Sequence, residues 1–453
     1  LVYVVSDTYM NGGGITTLTC LNTTTGGKIW SLTELLTKFT VSNGYLYASY
    51  WTLQREPCTT CLNASTGVQI WNFSAGSDLG KPAVKDGVVY VGESVRSKNG
   101  EYAASYMFAL DASTGKVLWR YTTPSGSDLG SIYIDRAPLV VGNNVCAIDS
   151  NGLFVLNTRE GNLKWNYITT NLQSINYANG IIYTSRYDDA SSYTKGEVIA
   201  FNITSGEKLW NYYSSDVPKI HQTGDYYTLV SPISKPVLTN TVMLVATQNG
   251  EVTALNPSNG STMWQYQLNT PLWQATRTTT PATSTESILV NSPSTAYAIS
   301  LEKGELLWQH TIGNTSINLK ESYPTYDNGV VYVGSNAPSL NDEDEQHNFY
   351  ALNAANGKEI WHYTVDRNML STPVIDNGTV YFGGDSESAR TFNNKNPILY
   401  ALKTATVSTQ DNNDNDYRNS WILITSIVTA ILAIIAIVIL FKKRKNRLLH
   451  LSN

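Results

Sequence analysis

Eight times along this chain a tryptophan follows a glycine by four residues, and no other regularity limits its fold so tightly. The tryptophans are Trp30, Trp71, Trp119, Trp165, Trp210, Trp264, Trp308 and Trp361, separated by 41 to 54 residues. Their glycines are Gly26, Gly67, Gly115, Gly161, Gly206, Gly260, Gly304 and Gly357. Eight positions before each tryptophan stands Asn or Asp, with Ser300 the exception, and the residue before that is always Leu, Ile or Phe. A fixed internal spacing repeated this often marks an array of units that bury their apolar faces only by stacking on one another.

Upstream of each block lies a second pattern, clearest in KPAVKDGVVYVGES, SYPTYDNGVVYVGSN and STPVIDNGTVYFGGD. A short strand leads through Asx-Gly, a turn signal, into a run rich in β-branched residues and tyrosine. Each unit reads as four short antiparallel strands, the last carrying the tryptophan, which is the content of one propeller blade. The expected fold is all-β, an eight-bladed β-propeller of four-stranded blades. Strand bookkeeping gives seven full repeats plus three strands at each end, or 34 strands against the 32 of eight blades. Eight blades are favoured and nine are possible.

The spacing has a physical reason. Asx, or Ser and Thr, after the third strand can hydrogen-bond their own backbone and so start a tight turn. Glycine supplies the positive φ that such a turn needs and leaves its peptide plane bare. An indole from a neighbouring blade can then lie on that plane, burying roughly 150–250 Å². The eight pairs are therefore read as structural docking residues.

These blocks, ALDASTGKVLW above all, resemble the pyrroloquinoline-quinone (PQQ)-type propeller repeat, A-x-D-x-x-T-G-x-x-x-W, from about Leu1 to Leu402. The resemblance implies blades locked by tryptophan docking. It spans quinoprotein dehydrogenases, an outer-membrane assembly lipoprotein, stress-sensing luminal domains and surface proteins, so function has to come from a site. Quinone enzymes of this type carry adjacent cysteines, a calcium site of Glu, Asn and Asp, and an Asp base. The sequence here holds no adjacent cysteines and no CxxCH. No cofactor is expected; PQQ and calcium enter only with the enzyme alternative. His221, His310, His347, His362 and His450 are scattered, without zinc spacing. The acidic run Asn341 to Glu345 lacks the ligand spacing of a calcium loop. No catalytic, cofactor-binding or metal residue is assigned.

Four cysteines, Cys20, Cys58, Cys61 and Cys146, are too few to staple 453 residues. Packing or a structural disulfide is the expected role, and Cys58-x-x-Cys61 leaves a local bridge open. Net charge is -5, and the clustered basic residues all follow Phe441. A nucleic acid is excluded as partner, because phosphate binding needs a basic patch on the folded domain.

From Trp421 to Phe441 the sequence WILITSIVTAILAIIAIVILF has no charge and is long enough to span a bilayer as a helix. Lys442, Lys443, Arg444, Lys445 and Arg447 follow it, which places the tail in the cytoplasm and everything before outside. The expected organisation is a propeller ectodomain over 1–403, a polar stalk over 404–420, a transmembrane helix over 421–441 and a short basic tail over 442–453. Asn22, Asn63, Asn72, Asn202, Asn259, Asn314 and Asn377 open N-x-[ST] acceptors, consistent with an extracellular glycoprotein. The low charge with abundant Asn, Thr, Ser and Tyr resembles archaeal surface-exposed proteins. The reading is a single-pass cell-surface propeller without catalysis that binds or scaffolds other envelope proteins or glycans through loops such as 212–247 and 336–348. The alternatives are a membrane-anchored quinoprotein oxidoreductase and an envelope assembly or quality-control factor.

Overall fold

A computed structural model gives the architecture of this chain. It describes residues 1–10, 13–74, 76, 78–96, 102–123, 137–149, 151–187, 195–214, 233–247, 249–269, 282–283, 287–291, 294–312, 323–334, 347–365, 368–369, 371–385 and 398–404. The transmembrane span expected at 421–441, the stalk beyond Thr404, the basic tail, the acidic run at 341–345 and most of the two loops above lie outside the described residues. Among the described residues every regular element is a strand, and no helix is long and apolar enough to cross a membrane.

The strands form consecutive antiparallel sheets that follow chain order. The fifth is representative: Leu172–Ala178, Ile181–Tyr187, Gly196–Asn202 and Lys208–Tyr213 pair in sequence from inner to outer position. Asn179 and Gly180, both at positive φ, make its first turn, as the Asx-Gly signal requires. The long strand Lys28–Ser42 joins the first two units: its first half pairs with Gly13–Leu21 and its second with Tyr45–Trp51. The inner strand of the third unit is broken into Asp78–Leu79 and Ala83–Lys85, both against Val88–Arg96. Seven units thus have four strand positions. The first has three, from Val2–Met10 to the start of Lys28–Ser42. The last also has three, ending at Ile398–Lys403.

The core lies between sheets. Each apolar cluster joins the facing sides of two successive units; one holds Tyr183, Val198, Ala200 and Trp210 of the fifth unit with Met243, Val245 and Leu255 of the sixth. Strands that are buried on both faces explain the near-continuous apolar runs such as VVYVG, whose five residues at 330–334 are all buried. Small residues opposite each tryptophan let the sheets approach: Cys20, Cys61, Ala109, Val155, Ala200, Ala254, Ala298 and Ala351 face their indoles in register.

Candidate binding surfaces around the docking turns

Each repeat turn is built by its Asx residue, or by Ser300 in the seventh unit, whose hydroxyl accepts from the Lys303 amide. In the third unit the Ser113 and Thr114 amides and hydroxyls donate to Asp111 Oδ1, and the Gly115 amide donates to the Asp111 carbonyl at 2.8 Å. These bonds hold the Asp111 carboxyl below its ordinary range, the hydroxyls contributing most. Gly115 closes the turn at φ +71°.

An indole sits on seven of the eight glycines, and it always comes from the preceding repeat. Trp30 lies on Gly67, Trp71 on Gly115, Trp119 on Gly161, Trp165 on Gly206, Trp210 on Gly260, Trp264 on Gly304 and Trp308 on Gly357. A Cβ on any of these glycines would stand 2.5–2.7 Å from ring carbons, closer than real Cβ atoms come. Each ring also donates its Nε1–H, at 2.8–3.1 Å, to the carbonyl of the residue after the Asx position. In three units a tyrosine of the second strand donates to the same oxygen: Tyr3 to Ala64, Tyr47 to Ala112 and Tyr183 to Pro257. A carbonyl has two lone pairs, so the two donors share it without conflict. Gly26 and Trp361 stand apart. No described residue lies within 4 Å of the Cβ position on Gly26, and Trp361 packs with Tyr332 and Phe349.

The outer strand carries a feature that the spacing does not reveal. In all eight repeats the register against the third strand slips by one at the residue just before the tryptophan. Such a bulge re-aims the side chains around it. The tryptophan turns into the interface, and the bulged residue turns out in every unit but the eighth, where Ile360 packs against the core. That residue is Ile29, Ile70, Leu118, Lys164, Leu209, Met263, Leu307 or Ile360. Six of these are apolar and 40 to 53% exposed: Ile29, Ile70, Leu118, Leu209, Met263 and Leu307. Six units thus hold one large apolar group in water at the same repeating position. The outer strand is also the last of its sheet in the described pairing, leaving an edge.

Two other places gather polar groups. A cavity of about 340 Å³ lies at the inner-strand starts of the third to sixth units, lined by Lys81, Gln173, Ser174 and Lys235 over Met107 and Ile148. On the outer strands of the seventh and eighth units, His362 Nδ1 lies 2.7 Å from Glu359 Oε1 and His310 Nε2 lies 4.0 Å from Glu359 Oε2. The fold thus converges two histidines that are 52 residues apart, a proximity without linear signature.

The cysteines are all free and buried. Cys58 and Cys61 stand on one strand three residues apart, so they point to opposite faces. Cys58 packs with Leu18 and Leu46 toward the first unit, and Cys61 with Leu110 toward the third. Of the roles left open for this pair, the geometry is that of packing, and it does not bring the two thiols together as a local bridge. It also bears on the enzyme alternative. A quinone site of the resembled kind needs two adjacent thiols against the ring, and these thiols are sealed into separate cores. Among the described residues no three His, Cys, Asp or Glu side chains are grouped to hold a metal ion. The described residues do not fit that cofactor.

Of the sequons, Asn22, Asn63 and Asn202 are turn-builders whose Oδ1 atoms accept backbone amides. Asn259 accepts from Ser261, Asn72 accepts from the Thr60 hydroxyl, and Asn377 sits at positive φ in a hairpin turn. Asn314 lies outside the described residues.

Comparison with known proteins places this geometry. The family model described as outer membrane protein assembly factor BamB matches residues 15–232, 173–289 and 292–399. The chain belongs to this family. It is a PQQ-type β-propeller repeat protein. The outer membrane protein assembly factor BamB of Yersinia pestis is 25% identical over 280 residues, covering 58% of this chain and 64% of that relative. The match thus spans less than two thirds of the relative's length. The crystal structure of BamB from Moraxella catarrhalis superposes with TM-score 0.50 at 16% identity, over 77% of this chain and 90% of that one. A europium-containing methanol dehydrogenase gives TM-score 0.50 at 12% identity, over 77% and 82%. Both likenesses speak for fold alone.

Proposed function

We propose that this BamB-family chain is a non-catalytic envelope scaffold that holds other envelope proteins during their assembly. The observation that carries the reading is the bulge that turns Leu118, Leu209 and their equivalents into water while the tryptophan beside each rivets the sheets. A rigid array that presents an apolar group at this position in six of its units, beside a strand edge, suits extended or partly folded polypeptide, which pairs its backbone and buries alternate side chains. The apolar character of this row favours protein over glycan. The relatives named as assembly factors support the same role. In this reading residues 421–441 anchor the chain in a membrane, 404–420 form a stalk, 442–453 lie in the cytoplasm, and the sequons carry glycans on the outer side.

Photocrosslinking side chains placed at Leu118 and Leu209 in intact cells test the proposal. The expected result is a set of adducts with envelope proteins still being assembled. The Leu118 adducts should weaken when Ile70→Lys puts a charge at the same position of the adjacent unit. Adducts equally strong from the exposed turn residue Lys116 would overturn it.

A further inference from the structure

We infer that the cavity at the inner-strand starts of the third to sixth units binds a small organic anion. Its carboxylate or phosphate head is held by Lys81 and Lys235, and its apolar body lies over Met107 and Ile148.

The two cations are placed by the repeat. The segments KPAV, APLV and KPVL lead into the inner strands of the third, fourth and sixth units. Lys81, Ala137 and Lys235 therefore hold one repeat position, and all three line the cavity. The proline that follows each of them favours extended backbone at this position. In the two lysine-bearing units that proline is also pinned by the unit before. Thr40 Oγ1 donates to the Pro82 carbonyl at 2.6 Å, and Asn176 Nδ2 donates to the Pro236 carbonyl at 2.6 Å. Both lysine stems thus leave from backbone that is fixed by ring and hydrogen bond.

The lining selects the ligand. Its described residues include two ammonium groups and no carboxylate, so an anion that enters is attracted by both cations. An ammonium has three donor hydrogens and takes an anion alongside its contacts to the protein. Gln173 adds an amide: one of its hydrogens goes to the Asn171 carbonyl at 3.3 Å, and the amide carries a second. Met107 and Ile148 beneath are apolar and buried. A bare inorganic ion leaves that floor unmatched, whereas an organic anion covers it. The volume of about 340 Å³ suits a small molecule and is too small for a polyanion. The quinone of the resembled enzymes is not this ligand, since the lining holds no cysteine. The inference stands on the cavity and does not depend on the assembly role proposed above.

Phenyl phosphate and benzoate, each titrated calorimetrically into the purified full chain, test it, with inorganic phosphate and benzyl alcohol as the two halves of such a ligand. One saturable site per chain is expected for at least one of the organic anions, at least tenfold tighter than for either half, and the tighter of the two identifies the head group. Lys81→Met with Lys235→Met should weaken it at least tenfold, whereas Lys116→Met, at an exposed turn outside the cavity, should bind as the wild type does. No saturable binding of either anion, binding undiminished in the double variant, or benzyl alcohol binding as tightly overturns the proposal. If the double variant does not fold, labelling of the wild type with an amine reagent decides. Protection of Lys81 and Lys235 but not Lys116 by the bound anion supports the site, and equal labelling with and without the anion overturns it.

Discussion

The indole of Trp119 lies so close on Gly161 that a Cβ there would stand 2.5 Å from ring atom Cδ2, while the ring's Nε1 donates to the Thr158 carbonyl at 2.8 Å. Gly161 also has φ +72°. Two costs therefore fall on Gly161→Ala, the left-handed backbone and the displaced ring. Gly26→Ala bears only the first, since no described atom is near. The backbone term is about 1–2 kcal/mol, and overpacking adds about 1–3 kcal/mol. Urea unfolding should show Gly161→Ala destabilised by roughly twice the loss of Gly26→Ala. Equal losses would mean that backbone strain alone selects glycine in these turns.

Trp210 and Tyr183 donate to one oxygen, the Pro257 carbonyl, at 3.0 and 3.1 Å. Tyr183→Phe leaves that carbonyl satisfied and should cost about 0.5–1.5 kcal/mol. Trp210→Ala opens a cavity between the fifth and sixth units and should cost about 3–5 kcal/mol. The double variant should lose more than the sum, because the carbonyl then has neither donor. An additive result in chemical denaturation would show that the two donors act independently.

The spacing of Gly26 through Trp361 carried the strand content and the repeat boundaries, because turn chemistry is local: Asn, Gly and the alternating run each act within a few residues. The strand count of 34 likewise matches the described strands once the broken inner strands are taken as one and Lys28–Ser42 as two. What the sequence leaves open is set by contacts between units. Nothing linear says that Trp119 meets the glycine of the next repeat rather than the one before. The bulge at Leu118 is invisible because an apolar residue beside tryptophan reads as core, although half of it lies in water. Tyr183 as a second donor and the convergence of His310 with Glu359 depend on sheet stacking. Cys58 and Cys61 read as a pair only while strand parity is ignored.

Burial raises the thiols of all four cysteines from the ordinary 9.0, Cys146 to about 12 and Cys61 to about 11. The thiolate is the reactive form. At pH 8 the native chain should therefore leave a thiol reagent unconsumed over minutes, and denaturant should release all four. The sign for stability follows. Below pH 9 folded and unfolded chains both hold these protons; from 9 toward 12 the unfolded chain releases them first, so stability falls as pH rises. Rapid labelling of the native protein, or a stability rising across that range, would contradict the buried placement.

Arg186 and Glu197 are direct cross-strand partners in the fifth unit, Nε to Oε2 at 2.7 Å, with Glu197 only 4% exposed. Asn211 donates to the other carboxylate oxygen at 3.1 Å, Lys208 stands 3.8 Å from it, and the guanidinium also donates to Thr169 Oγ1. Removing the arginine leaves a buried carboxylate with one amide and a distant ammonium, so Arg186→Met should cost about 3–5 kcal/mol. Arg186→Met with Glu197→Met removes both charges and fills the space with apolar volume, and buried pairs replaced in this way are often neutral in stability. The double variant should therefore recover most of what the single one loses. Thermal unfolding of the wild type, the two singles and the double at low and high salt is the measurement. A double variant as unstable as Arg186→Met would mean that Arg186 acts through its bond to Thr169, tying the inner strand's start to the sheet, and not by neutralising Glu197.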